Sequence, residues 1–199
     1  MTNNEGNNKH NVSKKILIGA HSKLTINQVY SLNQNIEVGL NQASHKIIQQ
    51  SHEFLKSYID QRVPIYGINT QFGDQVSYLD ANINNLDVSQ YLKSINLRQE
   101  NLIKSHSCGL GNSIPREIIR AAMTLRAHCL AQGYSGVSLN AIEALLAFVN
   151  ADITPIVRTY GSIGASGDLI PLAMIAAAII GENVDVLYEG KIVKAPEPE

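Results

Sequence analysis

Between Pro115 and Gly133 the chain carries a helix whose two ends and one face are all marked in the sequence. A proline in the first turn gives up no hydrogen bond, and a glycine just past the end can take the left-handed conformation that closes a helix. The spacing predicts a helix over residues 115–132 that buries Ile118, Ile119, Ala122, Leu125 and Leu130. Ser138 caps another, running to about Asn150 with Ile142, Leu145, Leu146 and Val149 turned inward. A third is expected over 168–180, with Pro171 in its first turn and Gly181 as its stop. Its apolar run from Leu169 falls short of the ~20 residues a membrane span needs, so it is expected to be a buried helix.

The remaining segments extend a mainly α fold with short strands and a small hairpin. Thr25-x-x-Gln28 forms a capping box. Apolar residues at Val29, Leu32, Ile36, Leu40, Ile47, Ile48, Leu55 and Ile59 predict one or two helices filling 26–61. A further helix is expected over 88–104. Lys15 to Gly19 suggests a strand, and 184–188 and 191–193 flank Glu189-Gly190 as a hairpin would. Residues 64–74 and the glycine-rich stretch 107–112 have no periodicity and are expected to be loops. Residues 1–13 are Asn-rich and polar, a flexible tail. Residues 14–199 are one structured region that ends at 195–199 without a closing element, so the chain is expected to stop inside a larger protein.

Sixteen basic side chains against seventeen acidic ones give no basic surface for nucleic acid. Cys108 and Cys129 stand outside any C-x-x-C or paired-histidine pattern. Neither a disulfide framework nor a metal site is expected, and reduced thiols in the cytoplasm fit best.

The chemistry concentrates at Gly164-Ala165-Ser166-Gly167-Asp168. Glycines on both sides of Ala165-Ser166 let the backbone fold onto itself, which residues with a Cβ resist. Attack of the Gly167 amide nitrogen on the Ala165 carbonyl carbon, with loss of two waters, would leave a five-membered imidazolone. Its exocyclic methylene would derive from Ser166. Such a ring is an electrophile made from the chain alone, in a position where enzymes usually recruit a cofactor. It would lie at a helix N-terminus, where the dipole and free N–H groups stabilise developing negative charge. The alternative is that Ser166 merely caps the helix.

Four segments together resemble the aromatic amino acid ammonia-lyases, the family of histidine, phenylalanine and tyrosine ammonia-lyases and related aminomutases. They are Tyr66-Gly67-Ile68-Asn69-Thr70-Gln71-Phe72-Gly73, Asn101 to Gly111 with Ser105-His106 at its centre, Gly133-Tyr134-Ser135-Gly136-Val137, and Gly161 to Leu172. The resemblance covers about residues 15–193. It implies the N-terminal part of a helical lyase fold and the prosthetic group MIO (4-methylidene-imidazole-5-one), formed from Ala165, Ser166 and Gly167 with no external cofactor. It further implies Tyr66 as the base on the substrate β-carbon, Ser105 and His106 at the substrate ring, and Asn69 and Gly73 as support for the tyrosine loop. The expected reaction is loss of ammonia from an aromatic L-amino acid to give a trans-arylacrylate. Histidine, giving urocanate, is favoured because Ser105-His106 resembles histidine lyases. Tyrosine and phenylalanine lyases or aminomutases are the alternatives, as is a non-catalytic assembly module. No metal, nucleic acid or membrane is implied, and a cytoplasmic homotetramer is. Two departures stand out: Gln71 replaces the family's usual glycine, and Leu169-Ile170-Pro171-Leu172 is closer to some phenylalanine lyases. The family's second half, with its Asn-Gly-Thr asparagine and carboxylate-binding arginine, is absent from these 199 residues.

Overall fold

The computed structural model describes residues 15–34, 36–73, 85–164 and 167–196; the 1–13 tail lies outside them. Strand β1 (Lys15–Ile18) is followed by α1 (Ile26–Ser31), which opens with the expected reciprocal Thr25–Gln28 capping box. After a single 3-10 turn at Leu32–Gln34 comes a strand that helical spacing had hidden, β2 (Glu37–Leu40). It pairs in parallel with β1, Ile16 opposite Val38. A strand this short shows alternation over only two or three residues, so Ile36 and Leu40 also fit a helical count. The helix α2 (Gln42–Asp60) then runs to the loop that carries Tyr66.

Beyond that loop lie α3 (Val88–His106), β3 (Leu110–Ser113), α4 (Arg116–Leu130) and α5 (Leu139–Asn150). Next come β4 (Thr154–Pro155), β5 (Arg158–Tyr160), α6 (Leu169–Ile179), β6 (Asp185–Tyr188) and β7 (Lys191–Lys194). The glycine-rich stretch expected to be a loop contains β3, which pairs antiparallel with β5. Four exposed residues, Leu-Gly-Asn-Ser, carry no pattern to announce a strand. The β6–β7 hairpin forms as read, with Glu189 and Gly190 both at positive φ, as its two-residue turn requires.

The core lies where α4, α5 and α6 meet the β1–β2 pair, and includes Ile18, Leu32, Val38, Ile48, Met123, Ile142, Val149 and Ile175. Ile142, Leu145, Leu146 and Val149 are buried as the α5 spacing predicts. In α4 the expected face is wrong by one residue. Its buried positions are Ile119, Arg120, Met123, Thr124 and Ala127, whereas Ile118 and Leu125 are 57% and 41% exposed. Counting apolar residues alone rotated the stripe by about 100°, because two of the inward positions are polar. Arg120 is inward because it donates to Leu32 O at 2.8 Å, to Ile36 O at 3.3 Å and to Val149 O, and it reaches Asp152 Oδ1 at 3.2 Å. It thus satisfies carbonyls at the ends of three elements. Asn150 completes this corner by bonding both the N–H and the C=O of Val38, at 2.9 Å each. Helix α6 is buried on one side only: Ala177 and Ala178 are inaccessible while Leu169 and Leu172 are exposed. Among the described residues no helix is long and apolar enough to cross a membrane.

Candidate active site

Helix α3 is the backbone of the site. Asp87 caps it, accepting from Gln90 N at 2.8 Å while Gln90 Oε1 accepts from Asp87 N. Its last residue is His106. There His106 Nδ1 lies 2.9 Å from Leu102 O, and Ser105 Oγ is 3.1 Å from the same nitrogen and from the same carbonyl. A carbonyl only accepts, so Nδ1 must carry the proton, and in the neutral ring Nε2 is left as a bare acceptor. Ser107 follows, its hydroxyl proton shared between Ile103 O at 2.7 Å and Ala173 O at 3.1 Å. That bond fastens the end of α3 to α6. The β3–β5 pairing draws together the chain just after His106 and the chain just before Gly161.

These two ties produce a cleft of about 260 Å³ whose walls include His106, Gly161, Ser162, Gly167 and Ile170. His106 also closes one end of a second, apolar cavity of about 340 Å³ among α3, α4, α5 and α6, lined by Leu102, Met123, Leu145, Leu172 and Ile175. Its imidazole therefore stands at the border of a polar glycine-rich loop and an apolar interior.

Ala165 and Ser166 lie outside the described residues. The glycines beside them do not: Gly164 has φ +74° and Gly167 φ +83°, the left-handed region. Among the described residues beyond their chain neighbours, none comes within 4 Å of where a Cβ would sit on either, so backbone conformation rather than crowding from these residues requires glycine there. The helix cap is Asp168, two residues past Ser166, and its side chain makes no capping bond; it is held instead by Ser162 Oγ. Among the described residues, no side-chain capping bond from Asp168 meets the first N–H groups of α6. These features fit an internally formed ring.

Tyr66 sits on a separate loop, 63% exposed, and does not line the cleft of His106 and Gly167. Its hydroxyl oxygen accepts from Gly73 N at 3.1 Å, and its ring stands edge-on to Phe72. Gly73 itself has φ +56°. Asn69 is 3% exposed at the base of the loop. Its Oδ1 accepts from Ile65 N at 2.6 Å, and its Nδ2 donates to Val63 O at 2.8 Å and to Tyr91 Oη at 2.9 Å. Gln71 is not among the residues with positive φ, so its backbone is one any residue can adopt.

A sequence model of the aromatic amino acid lyase family matches residues 24–198. The chain belongs to that family. It is 37% identical over 185 residues to histidine ammonia-lyase 2 of Fusobacterium nucleatum, covering 92% of this chain and 34% of that protein. It is 36% identical over 179 residues to histidine ammonia-lyase of Legionella pneumophila, covering 90% and 33%. Among solved structures it resembles tyrosine aminomutase from Streptomyces globisporus, with TM-score 0.74, 31% identity, and coverage of 87% of this chain and 31% of that one. The chain spans about a third of the length of these relatives.

Sequence reasoning named no part for Gln99, Tyr91 or Ser162, which hold the loops of this chain in place. Tyr91 and Gln99 lie eight residues apart on α3, a spacing indistinguishable from ordinary surface periodicity until the loop they hold is seen. Ser107 was visible only as part of a motif; its link to α6 needed the fold.

Proposed function

We propose that the protein is an aromatic amino acid ammonia-lyase acting on histidine, releasing ammonia and urocanate, and that residues 14–199 form the N-terminal region of its lyase fold. The observation that carries this reading is that His106 and Gly167 face one cleft, a ring-recognising acceptor opposite the edge of the Ala165-Ser166-Gly167 triplet. The family membership and the histidine lyase relatives support the same reaction.

The triplet would hold MIO, whose electrophilic methylene supplies the electron sink that turns a poor amine leaving group into a better one. His106 Nε2 accepts the N–H of the substrate imidazole and thereby fixes the position of the side chain. Ser105 and Leu102 O fix His106. The N-terminal N–H groups of α6 stabilise negative charge that builds up beside them. Tyr66, through its phenolic oxygen, takes the β-proton; the electrons of that C–H bond form the new double bond, and the C–N bond breaks to release ammonia. For this the hydroxyl must leave Gly73 N–H and approach the cleft, which its exposure permits. General-base catalysis of this kind is typically worth about 10²–10⁴-fold.

A tyrosine substrate is the second reading, because a phenol O–H can replace the imidazole N–H as donor to Nε2 and because the fold is also similar to that of a tyrosine aminomutase. A cytoplasmic homotetramer completes the proposal; exposed apolar side chains such as Ile118, Leu125 and Tyr134 support burial against further protein.

Intact mass of the full-length protein tests the ring. The mass should fall short of the sequence by two waters, and Ser166→Ala should remove that deficit together with turnover. An unmodified mass in active protein would overturn the proposal.

A further inference from the structure

The geometry points to Gln99 as a positioning residue for the Tyr66 turn, a reading that rests on the lyase function proposed above. Gln99 Nε2 donates to two consecutive carbonyls, Gly67 O at 2.9 Å and Ile68 O at 3.3 Å. An amide has two N–H groups and the turn offers two acceptors, so one short side chain fixes both the place and the orientation of the two peptides that follow Gly67. The bonds are half-buried, where water replaces a lost partner poorly.

The position of Gln99 on α3 gives the tether its consequence. Tyr91, Ile95, Gln99 and Ile103 follow one another at intervals of four and form a single ridge on the helix. Tyr91 Oη accepts from Asn69, and Arg62 stacks over the Tyr91 ring at 4.9 Å. Ile95 packs with Tyr91 in a small cluster that includes Ile68. Gln99 then takes Gly67 and Ile68. Seven residues further, about 10 Å along the axis, the same helix ends in His106. The base of the Tyr66 loop and the substrate-recognising imidazole are therefore carried on one rigid element. Gln99 contacts the loop at Gly67, directly after Tyr66. Gln99 touches neither substrate nor ring triplet; it acts through where it holds Tyr66.

Three substitutions separate hydrogen bonding from packing. Gln99→Glu keeps the shape and replaces the donors with oxygens that face two carbonyls. Gln99→Met and Gln99→Leu keep apolar bulk and lose the donors. If the amide donors matter, Glu is the worst of the three; if only packing matters, Glu is the mildest. Hydrogen exchange of the full-length protein should show Ile68 and Asn69, whose N–H groups both bond Ile65 O, exchanging about tenfold faster in Gln99→Met, as loss of these bonds implies. In turnover of histidine, kcat should fall about 10- to 100-fold, the cost of an ångström-scale misplacement, with KM nearly unchanged. The primary isotope effect from β-deuterated substrate should rise, because proton removal becomes the slower step. In a Tyr66→Phe background the same substitution should cost nothing more. Unchanged exchange at 65–70, or a loss that adds to that of Tyr66→Phe, would overturn the tether. Faster exchange in a protein that releases no ammonia from any aromatic amino acid would instead remove the lyase reading and leave the tether standing.

Discussion

In the proposed reaction, substrate choice follows from one proton. Leu102 O accepts from His106 Nδ1 at 2.9 Å, and Ser105 Oγ stands beside the same nitrogen. With Nδ1–H committed, Nε2 is an acceptor, and the ring that best fills the cleft brings a donor. Histidine and tyrosine both do; phenylalanine does not. A phenylalanine ring would leave Nε2 without a partner once water is excluded, at about 1–3 kcal/mol, or about 5- to 150-fold in kcat/KM. The cleft is partly open, which favours the lower part of that range. His106→Phe in the full-length enzyme should erase the discrimination and shift the kcat/KM ratio toward phenylalanine by the same factor. His106→Gln, whose amide still offers a carbonyl acceptor, should retain part of it. The assay is turnover of the three amino acids side by side, followed by the ultraviolet absorbance of their acrylate products. A wild-type preference for phenylalanine, or a ratio indifferent to His106→Phe, would refute the tautomer argument and make the Leu169-Ile170-Pro171-Leu172 segment the better guide to substrate.

Arg120→Met should destabilise the chain by about 3–5 kcal/mol, the usual loss when a buried charge network is broken, since it orphans the carbonyls of Leu32, Ile36 and Val149; a shift in urea midpoint equivalent to less than about 1 kcal/mol would show that water replaces the guanidinium. Burial lowers the pKa of His128 below its ordinary 6.5, in keeping with an Nδ1 that accepts from Gly19 N at 3.1 Å and so must be unprotonated. The unfolded chain therefore binds the proton more readily, and the stability the neutral ring contributes is complete above about pH 6.5 and is lost as pH falls through the lowered native value. Urea midpoints measured from about pH 7.5 to 5 should decline, and His128→Gln should flatten the decline; an equal slope in both would assign it to other groups.

The elements legible in the sequence are those that carry their own punctuation. α5 has Ser138 at one end, and four apolar residues at helical spacing, all of them buried. The β6–β7 hairpin has Glu189-Gly190 at a turn that demands positive φ at both residues. What escaped notice depends on partners distant in the chain. β2 is a strand because Ile16 and Ile18 lie alongside it and the Asn150 amide covers its other edge from 112 positions away. α4 turns a guanidinium inward because three separate carbonyls need donors, a demand that no count of apolar residues registers.

The site divides in the same way, and the division explains why a motif can be read without its geometry. Gly164 and Gly167 are marked locally, because only a left-handed backbone makes glycine necessary on both sides of Ala165-Ser166. His106 is marked by its neighbours Ser105 and Ser107, yet its tautomer is set by Leu102 O, one turn back, and its cleft by Ser107 reaching Ala173 O. Tyr66 is marked by its motif, but its hydroxyl is bonded to Gly73 and its turn hangs from Gln99 on a helix that begins twenty-two residues later. Residue identities at the site answer to chemistry and so recur as words in the sequence. The distances between them answer to α3, which holds the tyrosine turn through the ridge from Tyr91 to Ile103 and carries His106, the proposed substrate acceptor, at its end. A substitution on that ridge should therefore alter catalysis while leaving every motif residue in place.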